Sequence, residues 1–378
     1  MDFEYNEEQQ LLADSVSKYL AKAYDFESRK QVINSSTGFN DAAWTAFSEM
    51  GLTAIPFVQA DGGFGGGAVD MMAAMEAFGE ALVVEPVLDH IALATRLIAK
   101  AGFEAQRAEV LPALIDGSRK ATFAYLERGQ RFSLEPKMTT ATQSAAQWKL
   151  DGEKIVVVGA PVADVLVVSA RTGAGASLFL VDRTAPGVRV SAYRTVDGQR
   201  AADVSLRGVM VGADALLGTD GDALPHIEEA VDFATALLCA EAVGAMKSAN
   251  DATLQYLKTR KQFGAPIGSF QALQHRMVDM YITCEQARSM AILAACRVDA
   301  SASSKEPGAI ATRKAAISSA KVSIAESARK ISQESVQLHG GMGMTEEMKI
   351  SHTFRRLTVI AQRFGDVDHH LERFASLT

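Results

Sequence analysis

Apolar positions recur at helical spacing through the first 119 residues. Asn6 suits a helix N-cap, with Gln9 at the third helical position, and Leu11, Leu12, Val16, Tyr19 and Leu20 follow every three or four residues. Gly62-Gly63-Phe64-Gly65-Gly66-Gly67 breaks the pattern. It lacks the Lys-Ser/Thr ending of a P-loop and reads as a loop between helices. Over residues 120–220 the period changes. Trp148–Lys154 places an Asp-Gly turn, Asp151-Gly152, between two short strand candidates. Val165-Leu166-Val167-Val168 and Leu178-Phe179-Leu180-Val181 are further strands. This region predicts a small antiparallel barrel. Residues 221–378 return to helix: Pro225 suits a first helical position, and Ile227, Val231, Ala234, Leu238 and Ala245 form one stripe on a long helix. The predicted fold is α+β and mostly α, ordered helical (1–119), β (120–220) and helical (221–378), with no repeat of 20–50 residues.

Composition narrows the partners. The chain has 378 residues, 48% of them hydrophobic, and a net charge of −7, which argues against a nucleic-acid backbone as ligand. Cys239, Cys284 and Cys296 show neither paired nor metal-ligand spacing, so no metal site is expected and a reducing, cytoplasmic setting fits. The acidic start (Asp2, Glu4, Glu7, Glu8) is unlike a signal peptide, and no apolar run approaches the roughly 18 residues of a membrane span.

Two stretches carry candidate chemistry. In Arg260-Lys261-Gln262-Phe263-Gly264-Ala265-Pro266-Ile267-Gly268-Ser269-Phe270-Gln271, an Arg at a helix end precedes a Gly/Pro turn. That offers a forked cation and free backbone donors, which suit a pyrophosphate, or a plain helix terminus. In Gln337-Leu338-His339-Gly340-Gly341-Met342-Gly343-Met344-Thr345, the glycines permit close backbone approach to a flat or charged ligand, or form an interhelical turn.

In this order and at this distance, the two stretches resemble the signature regions of the acyl-CoA dehydrogenase family. The resemblance spans the chain. Asp2-Phe3 with Glu7-Glu8-Gln9 is similar to the family's opening helix, Gly51-Leu52 with Gly62-Gly63 and Gly65 to its first interdomain turn, and residues 148–182 to its β-domain. It implies a helical domain, a β-barrel and a C-terminal four-helix bundle, assembled as a homotetramer or a heterotetramer. It also implies FAD bound between subunits, with Arg260, Gln262, Phe263, Ile267 and Phe270 on the pyrophosphate and adenosine of a neighbour's FAD. Gln337, Gly340 and Gly341 would form the other half of that ADP site. The implied reaction is α,β-dehydrogenation of an acyl-CoA: a carboxylate takes the α-proton, the β-hydrogen leaves as hydride to the flavin, and electrons pass on to electron-transfer flavoprotein.

The chain departs from the family where catalysis is concerned. Phe364, ahead of Gly365, stands at the position of the usual Glu base. Ala234 stands at the alternative position, followed by Thr235 in place of Arg. Leu126-Glu127-Arg128-Gly129-Gln130-Arg131 replaces a Thr-Glu-Pro-Gly-rich segment, Val156 replaces a flavin-packing Trp, and Val158 a nearby Thr. Two carboxylates are candidate bases. Glu241 lies at i+7 from Ala234 inside an apolar stripe and is either functional or paired with a cation. Asp366, two residues after Phe364, is a base or the N-cap of a last helix starting near Val367. This pattern, with the Leu237–Gly244 run and the Gly365-Asp366…His369-His370-Leu371 ending, resembles bacterial chains that include those called the pimeloyl-CoA dehydrogenase small subunit. Related actinobacterial chains pair with a second dehydrogenase chain. The resemblance therefore leaves two assignments open: an acyl-CoA dehydrogenase, or a non-catalytic subunit completing a partner's FAD site.

Overall fold

The computed structural model describes residues 5–144, 146–304 and 306–377, so the Asp2-Phe3 part of the opening motif and Glu4 lie outside the described residues. The chain forms two compact units, each built from separated segments. One comprises Met1–Arg29, Ala68–Val83 and Thr235–Thr378; the other comprises Lys30–Gly67 and Val84–Ala234. Helices α1 (Glu7–Ala23), α2 (Phe26–Asn34), α3 (Asp41–Glu49), α4 (Ala68–Ala81), α5 (Arg96–Ala101) and α6 (Glu104–Ile115) precede the strands. Helices α7 (Leu224–Thr259), α8 (Gln271–Ser303), α9 (Ala309–His339), α10 (Lys349–Gln362) and α11 (Val367–Ala375) follow them.

In the first unit, Asn6 and Gln9 exchange side-chain-to-backbone hydrogen bonds of 2.9 and 3.0 Å, closing a capping box at the start of α1. Val16 and Leu20 face inward while Leu11 is left in solvent, so the buried stripe is narrower than the periodicity predicts. Helices α4 and α7 meet through a pair of glycines. A Cβ on Gly79 would strike the Glu241 carbonyl, and one on Gly244 the Glu76 carbonyl. The backbones touch there because both side chains are hydrogen. The first turn of α4 is capped from a distance, Asp299 of α8 accepting from Ala68 N (2.7 Å) and Val69 N (2.9 Å). Helix α9 packs against α8, α10 and α11. Its Ile317, Ile324 and Ile331, spaced by seven, are fully buried.

The second unit holds the sheet: β1 (Ala121–Ala124), β2 (Thr140–Ser144), β3 (Gln147–Val158), β4 (Val165–Arg171), β5 (Ala176–Asp182), β6 (Val188–Arg194), β7 (Arg200–Gly212) and β8 (Leu216–Leu217). The predicted antiparallel barrel is corrected here. The sheet is open and mixed, ordered β6-β7-β3-β2-β4-β5-β8, with β1 and β2 parallel to β4. Closure would require β6 to pair with β8, which is two residues long, and most of the β6 side chains face solvent. A core of Trp148, Leu150, Leu166, Val168, Phe179, Val181, Val204 and Leu206 covers one face, with Trp148 edge-on to Phe179 at 5.3 Å. Asp151-Gly152 is not a hairpin turn either. β3 runs straight through it with a register shift, Asp151 accepting from Gly208 N (2.7 Å) on β7, and a Cβ on Gly152 would press on Thr139.

Candidate cofactor half-site and catalytic positions

The Arg260 stretch folds as a tight hairpin at the end of α7. Arg260 N donates to Tyr256 O (2.8 Å), closing the last helical turn, and Ile267 N donates to Arg260 O (2.8 Å), closing the hairpin. Between them β9 (Lys261–Gln262) pairs antiparallel with β10 (Ala265–Pro266). The two-residue turn, Phe263-Gly264, has positive φ at both positions (53° and 80°), as the right-handed twist of such a hairpin demands. A bulky residue is seldom held there, and Phe263 is 92% exposed, its ring edge-on to Phe270 at 6.2 Å. Arg260 and Gln262 are also exposed, and Ile267 and Phe270 lead into the N-terminus of α8, whose dipole favours anions.

Gln337, Gly340 and Gly341 stand where α9 ends. His339 is buried. Its Nδ1–H donates to Ser335 O (2.8 Å), and its ring stacks on Tyr256 at 4.4 Å. Tyr256 lies one turn before Arg260, so this stack joins the C-terminal ends of α7 and α9 and brings the two signature stretches to one corner of the unit. Gly340 takes φ 61°, and a Cβ on either Gly340 or Gly341 would meet no atom of the described residues beyond its chain neighbours within 4 Å. Among the described residues no packing contact demands a glycine at 341; a flat group lying over it would.

The two candidate bases are engaged elsewhere. Glu241 and Arg356 are both buried. Arg356 Nε and NH2 donate to the two carboxylate oxygens at 2.6 and 2.9 Å, tying α7 to α10. Asp366 caps α11, its Oδ1 accepting from His369 N (2.9 Å). Lys321 Nζ donates to Ala361 O (3.0 Å) and Gly365 O (2.8 Å); burial lowers its pKa to about 8, the charges of Cys239 and Asp366 opposing that shift. Phe364 is buried with φ 61°, the Arg363 guanidinium over its ring at 4.8 Å. A phenyl ring therefore fills the position where the family pattern puts a carboxylate.

In the second unit, Glu127 is buried and organises the 127–139 segment. It accepts from Lys137 N (2.9 Å), Met138 N (2.7 Å), Thr139 N (2.9 Å), Gln130 Nε2 (2.5 Å) and Lys154 Nζ (2.8 Å). Burial pushes its pKa up, but Lys154 and the backbone donors outweigh burial and hold the carboxyl at about 2. Stability from this group is complete above the ordinary carboxylate range and is lost as pH falls through that range toward 2, an effect of about 3 kcal/mol. Acid unfolding followed by Trp148 fluorescence should lose that limb in Glu127→Gln; an unchanged limb would show that Glu127 does not set it. Val156 lies in a register shift of β3 with φ 52°, half-exposed, and offers no ring to stack on a flavin.

Three family descriptions match: Acyl-CoA dehydrogenase, N-terminal domain over residues 6–118, middle domain over 122–209 and C-terminal domain over 224–375. The chain belongs to the acyl-CoA dehydrogenase family. Acyl-CoA dehydrogenases are FAD-dependent oxidoreductases. The probable acyl-CoA dehydrogenase YngJ of Bacillus subtilis is 28% identical over 94% of this chain and 93% of its own. Among solved structures, the ChsE4-ChsE5 complex from Mycobacterium tuberculosis matches with TM-score 0.89 and 25% identity over 100% of this chain and 98% of its own. The Tcur3481-Tcur3483 steroid ACAD matches with TM-score 0.86 and 28% identity over 98% and 97%.

The exposed Arg260 hairpin and the open faces of Gly340 and Gly341 fit an ADP moiety arriving from outside the chain. Among the described residues no cluster suits a metal ion, and no helix is long and apolar enough to cross a membrane. Several features escaped the sequence. The Arg356 partner, the Tyr256–His339 stack and the Lys154–Glu127 pair all depend on distant segments. Lys321 left one trace, a lone cation in the small-residue run Ala315–Ala325.

Proposed function

We propose that this chain serves FAD-dependent α,β-dehydrogenation of an acyl-CoA thioester as the subunit that completes a partner's FAD site, the base coming from a second acyl-CoA dehydrogenase chain. The observation that carries this reading is Phe364: a phenyl ring stands at the base position, while Glu241 is locked to Arg356 and Asp366 caps α11. Arg260 and Gln262 hold the pyrophosphate, Phe263, Ile267 and Phe270 flank the adenosine, and Gln337, Gly340 and Gly341 line the other side. Bound FAD supplies the hydride acceptor. Electrons then pass to electron-transfer flavoprotein. The two-chain names of the ChsE4-ChsE5 and Tcur3481-Tcur3483 relatives support a hetero-oligomer over a homo-oligomer.

The test compares visible spectra. The chain prepared alone should be colourless, and the chain co-expressed with a second dehydrogenase chain should be yellow and bleach with acyl-CoA. Asp366→Asn and Glu241→Gln should leave the bleaching rate of any folded assembly within about twofold. If the chain alone is yellow and bleaches, and Asp366→Asn or Glu241→Gln slows that by orders of magnitude, the chain carries its own base and the subunit reading falls.

A further inference from the structure

His352 connects a buried arginine to the backbone that follows the cofactor glycines. Arg29 of α2 is 1% exposed. Its Nε donates to Leu82 O (2.6 Å), where the chain leaves α4 with φ 58°, and its NH1 lies 3.0 Å from His352 Nδ1. Guanidinium has only donors, so Nδ1 must accept. The other ring nitrogen, Nε2, is 3.1 Å from Glu346 O, which only accepts, so Nε2 carries the hydrogen. The two contacts together require the neutral ring in a single tautomer. Phe26 of α2 packs edge-on against that ring at 4.9 Å.

Glu346 belongs to the turn that runs from Gly340-Gly341 into α10. Thr345 N donates to Met342 O and Met348 N to Thr345 O, while Ser351 Oγ donates to Thr345 O (2.7 Å). The first turn of α10 thus grips two successive carbonyls, Thr345 through Ser351 and Glu346 through His352. The charged groups around the ring come from every neighbouring element. They are Arg29 from α2, Arg355 from α10, and the Glu346 carboxylate, 3.3 Å from Nε2 and held by Arg355 at 2.9 Å. Lys349, at the start of α10, faces Arg29 and Glu80. Burial is the main cause that lowers the His352 pKa, with Arg29 and Arg355 adding to it and Glu346 opposing.

We propose that neutral His352 is a positioning residue for the ADP half-site, holding the Gly340–Met348 segment in its cofactor-binding shape, and that protonation of its ring releases the segment. The inference rests on the cofactor reading of Gly340 and Gly341. A protonated ring has no acceptor for Arg29 and sets two cations against each other. The held state keeps the ring neutral, so its advantage is complete above the ordinary histidine range and shrinks as pH falls through and below it.

The test has two readouts. Amide hydrogen exchange on the chain reports the segment whether or not flavin is present. Protection over residues 342–348, corrected for intrinsic rates, should fall by about tenfold or more between about pH 7.5 and about pH 5. His352→Gln keeps an acceptor and a donor without a titrating group, and should remove that pH dependence. His352→Ala should be poorly protected at both pH values. Flavin retention by the assembled holoprotein should follow the same order. Equal protection in His352→Ala and the parent, or an acid response retained in His352→Gln, overturns the proposal. Protection that changes as expected while flavin retention stays constant shows that the segment does not hold the cofactor, and overturns the cofactor reading together with the assignment that rests on it.

Discussion

Replacing Arg356 with Leu should destabilise the first unit by about 3–5 kcal/mol, because it strands the Glu241 carboxylate in a buried site without its guanidinium partner. Urea unfolding measures it. The Glu241→Leu/Arg356→Leu double variant should recover most of the loss, since two apolar side chains remove both desolvation costs together. A single variant that unfolds at the parental midpoint would show that the pair does not hold α7 to α10, and would return Glu241 to consideration as a base.

Arg260→Ala in the co-expressed assembly should weaken FAD binding by roughly 100-fold, the worth of two charge-assisted hydrogen bonds to a pyrophosphate. Arg260 is exposed, so the fold should not change. Gly341→Ala is the companion variant: a Cβ there meets no atom of the described residues beyond its chain neighbours within 4 Å, so any loss of flavin comes from the ligand side. Flavin passing into the ultrafiltrate is the measurement. Full retention by both variants would refute the assigned half-site.

What the sequence discloses depends on range. The Asn6–Gln9 capping box and the Asp366 cap are legible because each is complete within three residues. The 260–271 and 337–345 stretches are legible as motifs because their glycines and turn chemistry are local. The apolar setting of Glu241 signals a buried partner, but that partner lies 115 residues away and nothing near Glu241 names it. The sheet fails for the same reason. Alternation reveals the neighbouring hairpins, while the parallel seating of β1 and β2 on β4 arises between segments that no local pattern links. Asp151-Gly152 misleads because the same dipeptide serves a hairpin turn or a bulge, and the β7 backbone decides between them.

The first unit begins with Met1–Arg29 and is completed by Thr235–Thr378. At about 5–20 residues per second, a ribosome takes on the order of tens of seconds to supply the missing part. Through that interval α1 can pack on α4, but α4 has neither α7 nor α8 to pack on. The segments Lys30–Gly67 and Val84–Ala234, by contrast, are complete well before the chain is released. The α1–α4 pair can therefore form early, but the other face of α4 stays open until α7 and α8 are made, and a nascent chain halted before them presents that face to chaperones and proteases.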